Sequence, residues 1–141
     1  MYPSDLTKLL VQASNDPAFA RLSEVFARGL RQPVNVFGPS DTQKVVLALA
    51  SLAQAGSRPC FLVSDELRAR SVAADLDALL DGPVLVFRPR ELNLTDAEAT
   101  SHEEEQTRLS ILGRLQSRDF AALVVPAAAL LQRLPSPETL K

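Results

Sequence analysis

Apolar positions in the first thirty residues recur at steps of three and four. In "SDLTKLLVQAS" (4–14) Leu6, Leu9 and Leu10 share a face behind Ser4 or Asp5 as N-cap, and in "NDPAFARLSEVFARGL" (15–30) Phe19, Leu22, Phe26 and Leu30 do the same behind Asp16 and Pro17. That period predicts two amphipathic helices, the second opened by a capping aspartate and a proline suited to the first turn. The pattern then changes. "PVNVFG" (33–38), "RPCFLVS" (58–64), "PVLVFR" (83–88) and "FAALVV" (120–125) are short, unbroken apolar runs. Unbroken runs predict strands covered on both faces, as a parallel sheet requires. Between them, "SDTQKVVLALASLAQAG" (40–56), "SDELRARSVAADLDALLDG" (64–82) and "SHEEEQTRLSILGRLQS" (101–117) read as helices. Their caps are Ser40 and Asp41, then Ser64 or Asp65, then the capping box Ser101 and Glu104, with Leu109, Leu112 and Leu115 as the apolar stripe of the third. "PAAALLQRLP" (126–135) supplies a last helical turn or two before Pro135 and Pro137. Strand alternating with helix predicts an α/β fold: an open, doubly wound, mainly parallel sheet flanked by helices, with its ligand end at the carboxyl ends of the strands.

A chain of 141 residues has room for one core. Fifteen Lys and Arg against 17 Asp and Glu leave a net charge of -2, so there is no summed positive field to hold a nucleic-acid backbone. Aromatic residues make up 5% of the chain and sit mostly in apolar runs, so no base-stacking platform is evident. The single cysteine, Cys60, excludes an internal disulfide and a multi-thiolate zinc site; in "RPCFLVS" it is expected to be a buried packing residue. "MYPSDLTKLL" lacks the basic and apolar regions of a leader, and no apolar run spans a bilayer, so no membrane contact and a cytoplasmic location are expected.

The one stretch with a chemical question is "FGPSDTQKVV" (37–46), placed where a strand would hand over to a helix. A working phosphate loop needs Gly-x-x-x-x-Gly-Lys followed by Ser or Thr: glycines let backbone N–H groups curl round the phosphates, the lysine reaches the terminal ones, and the hydroxyl holds magnesium. Here Gly38 and Lys44 occupy the first glycine and lysine positions, but Gln43 replaces the second glycine and Val45 the hydroxyl, while Pro39 lacks an N–H. Asp65 and Glu66 follow a strand but head a helix, where capping is the simpler role. His102 stands beside "EEE" with no second histidine or cysteine at ligand spacing, and Arg88 and Arg90 in "FRPRE" are a candidate anion or partner contact. No catalytic or metal residue is assigned. Gly38 and Lys44 remain the candidate cofactor contacts of a degenerate loop, and a nucleotide-binding or hydrolysing P-loop-like domain is the alternative reading. A third is an unrelated flavodoxin-like domain, which would show itself by a bound flavin.

Four stretches in succession, "FGPSDTQKVVLALA", "PCFLVSDELRARSVAADLDALL", "SHEEEQTRLSILGRL" and "ALVVPAAALLQRLPSPE", resemble the amino-terminal region of the bacterial transcription-repair coupling factors, the Mfd family. The resemblance runs from about Val34 to Glu138. It implies a degenerate RecA-like fold similar to the first domain of the excision-repair protein UvrB, followed by an inserted domain that recruits UvrA. It divides the chain into N-terminal helices (1–32), a degenerate helicase-like α/β domain (33–125), and an exit helix and linker (126–141) toward a domain outside this chain. The full protein is implied to be an ATP-dependent DNA translocase that displaces stalled RNA polymerase and recruits UvrA. Its ATP and magnesium would belong to motor domains elsewhere, with no cofactor expected here. RNA polymerase and DNA would be met through those other domains, UvrA mainly through the inserted one, and the partners of this stretch would be other domains of the same protein. Between Phe87 and Ser101 there is neither room nor an aromatic residue for UvrB's damage-probing hairpin, so damage verification is not expected.

Overall fold

The computed structural model describes residues 8, 11–13, 15–28, 33–54, 57–90, 99–134 and 136, without the side chains of 50–54 and 99–103. In chain order the elements are α1 (Pro17–Ala27), α2 (Asp41–Gln54), β1 (Cys60–Val63), α3 (Glu66–Leu79), β2 (Val84–Val86), α4 (Ala99–Ser117), β3 (Ala122–Pro126) and α5 (Ala127–Leu130). Local chemistry accounts for most boundaries. Asp16 accepts the Ala18 N–H at 2.7 Å ahead of Pro17, opening α1, and Asp65 accepts the Arg68 N–H at 2.8 Å, opening α3. Of the expected helix over 4–14, Lys8 and residues 11–13 are described and helical; the rest lies outside the described residues. The helix over 101–117 begins at Ala99 instead, so Ser101 lies inside it and is not its cap.

The strands form one parallel sheet in the order β1-β3-β2. Cys60 and Leu62 lie opposite Leu123 and Val125, while Val84 and Val86 lie opposite Ala122 and Val124. Side chains alternate across a strand, so this register sorts two faces. Phe61, Val63, Val84, Val86, Ala122 and Val124 face a core built from Val45 and Leu49 of α2 and Ala69, Val72, Ala73 and Leu76 of α3. On the other face Val125, Phe87 and Ala129 are buried, with Ile111 and Leu112 of α4 and Leu123 packed on them. Helices on both faces make this the open, parallel α/β fold that the alternation predicts.

Three expectations about the strands are corrected. Residues 33–38 form no strand: the segment is without ladder pairing among the described residues, and Phe37 is 87% exposed. A strand exists only by its neighbour's backbone, and an apolar run does not supply one. Burial on both faces holds for β3 but not for β1, an edge strand on which Leu62 stays 62% exposed. Cys60, expected in the core, is exposed on the same face of the same strand. The helix covering that face sits over β3 and the end of β2, leaving β1 bare.

The turn from α3 into β2 depends on Gly82. Its φ of +139° lies in a region L side chains avoid, and an added Cβ would meet the Ala121 Cβ at 3.2 Å. Next to it the Pro83 carbonyl accepts the Ala121 N–H at 2.8 Å, which draws β2 alongside β3.

Candidate functional site

The loop between residues 37 and 44 is held at the end of the sheet where the strands terminate. Asp41, the first residue of α2, is bonded to Arg68, in the first turn of α3, at 2.8 Å, and α3 follows directly on β1. Glu66 in the same turn lies 3.4 Å from Arg88, which follows β2. The segment leaving β1 thus meets the head of α2 and the segment leaving β2 meets the head of α3, at the end where a doubly wound sheet collects its ligand-binding groups.

Within the loop each polar residue already has a partner. The Gln43 amide oxygen accepts the Ser40 N–H at 2.8 Å. Ser40 precedes α2 and Gln43 is its third residue, so "SDTQ" is a capping-box sequence, and this bond is the arm that reaches back to the N-cap N–H. The residue standing at the second glycine of a phosphate loop thereby occupies a backbone donor at the helix head. One oxygen of Asp41, Oδ1, accepts from Lys44 Nζ at 3.1 Å and from Arg68 Nη2 at 2.8 Å. The hydrogen bond from Lys44, with the positive charges of Arg68 and Lys44 behind it, holds the Asp41 carboxyl below its ordinary value, outweighing desolvation. Thr42 Oγ1 donates to Asp75 Oδ2 at 3.4 Å, tying the loop to the flank of α3.

Gly38 and Lys44, the candidate phosphate contacts, both lie in this loop. Gly38 has φ +99° with open space where a Cβ would be, so it serves the turn rather than a close approach of the backbone. Lys44 is about half exposed, its ammonium on Asp41. Beneath them Gly38, Thr42 and Gln43 border an apolar groove of about 860 Å³, lined further by Phe19, Val36 and Leu47.

Asp65 caps α3 as its sequence position implies. Ser64 donates to Asp65 Oδ2 at 2.6 Å, and that bond, followed by the Arg68 N–H, lowers the Asp65 carboxyl below its ordinary value. Glu66 is shared between Arg88 and Arg70, the latter at 3.8 Å. Arg88 and Arg90 belong to a second cluster: Arg90 pairs with Glu105, and Arg108 donates to the Arg88 carbonyl while its guanidinium lies 4.3 Å from the centre of the Phe87 ring.

Arg108 is 8% exposed, and neither its burial nor its role was read from the sequence. Burial first, and the charge of Arg90 second, lower its pKa. A signal was there to find: Arg108, Ile111, Leu112 and Leu115 share a face at three- and four-residue steps. The inward stripe of α4 is that one, whereas Leu109 is 45% exposed.

Cys60 is removed from this end of the sheet, at the start of β1; its thiol is pushed up by neighbouring atoms that crowd out water, although the residue as a whole is exposed. His102 lies in α4, with its side chain outside the described residues. Among the described residues no three His, Cys, Asp or Glu side chains converge as metal ligands, and no helix is long and apolar enough to cross a membrane.

No family model matches the chain, and no solved structure does. Among curated proteins, the transcription-repair-coupling factor of Bacillus subtilis (strain 168) is 30% identical to it over 139 residues. That alignment takes in 97% of this chain and about 12% of the length of the relative.

Proposed function

We propose, from this likeness to a transcription-repair coupling factor along nearly the whole chain, that it serves as a non-catalytic, UvrB-like amino-terminal module of such a factor. In this reading residues 1–32 are N-terminal helices, 33–125 a helicase-like α/β domain that has lost its nucleotide machinery, and 126–141 the exit toward a following domain. The module acts by packing on other domains of the longer protein and by helping to present or mask a UvrA site. ATP-driven translocation on DNA, contact with RNA polymerase and most UvrA contact reside in the remainder.

One observation carries the non-catalytic part of the reading: the loop satisfies itself. The Ser40 N–H is taken by Gln43, and Lys44 and Arg68 converge on Asp41. An incoming phosphate would meet a carboxylate at the helix head and would have to displace it from two cations. The exposed Leu62 on β1 and Phe37 beside the loop fit a surface covered by neighbouring domains.

Calorimetric titration of MgATP and MgADP into the chain tests this, with Lys44→Ala as control. No heat at high micromolar nucleotide is the expected result. Binding that disappears in Lys44→Ala would replace this reading with a nucleotide-binding domain that uses Gly38 and Lys44.

A further inference from the structure

We propose that Gln132 and Arg90 form an interlock that makes α4, the end of β2 and the turn after α5 move as one body. The Gln132 side-chain amide pairs with both backbone polar groups of Arg90. Its Oε1 accepts the Arg90 N–H at 2.7 Å, and its Nε2 donates to the Arg90 carbonyl at 3.1 Å. A side-chain amide that answers one residue's N–H and C=O together imitates a step of a sheet ladder. It does so here across 42 positions of sequence.

Arg90 is simultaneously held from a different element. Its guanidinium pairs with Glu105 of α4, and two residues earlier the Arg88 carbonyl accepts from Arg108 of the same helix. Arg108 is fixed in turn by its place over the Phe87 ring. The stretch from Phe87 to Arg90 is therefore gripped by α4 and by Gln132. The side chains of Arg90 and Glu105 are about half exposed, at 52% and 46%, so this junction lies outside the packed core.

Among the described residues, the bonds of Gln132 and the ion pair of Glu105 meet at Arg90, Gln132 on its backbone and Glu105 on its side chain. A displacement of the turn after α5 reaches α4 through Arg90, and the two outer residues are energetically coupled without a shared bond. The clasp thus adds a polar link at the surface to the buried cluster in which Ala129 of α5 and Ile111 and Leu112 of α4 already take part.

Amide hydrogen exchange of the whole chain, followed by NMR, reads the clasp directly. Gln132→Ala is expected to speed exchange at the Arg90 amide roughly tenfold, the size expected for one hydrogen bond. Gln132→Glu keeps the acceptor for that N–H and is expected to retain most of the protection. Urea unfolding of Gln132→Ala, Glu105→Gln and the double variant should show non-additive changes, as sites that share a partner do. An Arg90 amide that exchanges equally fast in the parent and in Gln132→Ala would overturn the proposal. So would additive effects in the double variant, since the coupling would then be absent.

Discussion

The Asp41 carboxylate accepts from Lys44 and Arg68 through a single oxygen, so the charge the loop offers to solvent is set by a residue with no role in a phosphate-loop pattern. Asp41 and Asp65 both have carboxyls below their ordinary value of 3.8 in the folded chain. A group whose folded pKa is depressed adds stability above its unfolded value, and that stability drains away as pH falls toward the folded one. Urea midpoints measured from about pH 6 down to about pH 3 should therefore decline, and Asp41→Asn should flatten that decline. Because Asp41 is exposed, salt should shrink the difference between the two proteins. An identical acid limb in parent and variant would show that the two cations do not hold this carboxylate in solution. At this scale position alone names Gly38 and Lys44 as candidates, whereas the bonds of Gln43 and Asp41 are visible only in the folded chain. A sequence shows which groups can bond, but not which of them do.

Elements were read best where their ends are chemically marked. Asp16 with Pro17 and Ser64 with Asp65 open α1 and α3 as written in the sequence, because a cap acts within one helical turn. The turn before β2 makes a sharper prediction. Gly82→Ala combines an unfavourable φ with the 3.2 Å contact at Ala121, whereas Gly38→Ala meets nothing within 4 Å. The positive φ alone should cost about 1 kcal/mol at Gly38, while Gly82→Ala should reach the upper part of the roughly 1–3 kcal/mol range for strained positions. Urea denaturation of both variants checks the order, and equal losses would mean that Ala121 yields freely. Residues 33–38 escaped the same kind of reading. Their composition is that of a strand, yet strand formation is a property of a pair, and pairing is not local.

For the whole molecule, the register of the three strands distributes apolar residues between a covered face and a partly bare one. Leu76, 0% exposed beneath the sheet, should cost roughly 2–5 kcal/mol on truncation to alanine, through lost transfer energy and the cavity left behind. Leu62 is no less apolar but 62% exposed, so Leu62→Ser should stay within about 0.5 kcal/mol in the isolated chain. Equilibrium unfolding of the two variants compares them, and a large loss at Leu62 would show that the bare face of β1 is covered in solution.

Periodicity and caps alone determined the α/β class, the helices α1 to α3, the three runs that became strands, and a loop lacking the glycine and hydroxyl of a phosphate site. These are consequences of local geometry, in which residues three or four apart, or two apart, already know their neighbours. Only the tertiary structure decided that the strands run β1-β3-β2, that Cys60 and Leu62 face outward, that Arg108 turns inward over Phe87, and that Gln132 closes on Arg90. Each of those outcomes depends on which distant segment arrives alongside, and the free energy that selects it belongs to the assembled layers rather than to any stretch of chain.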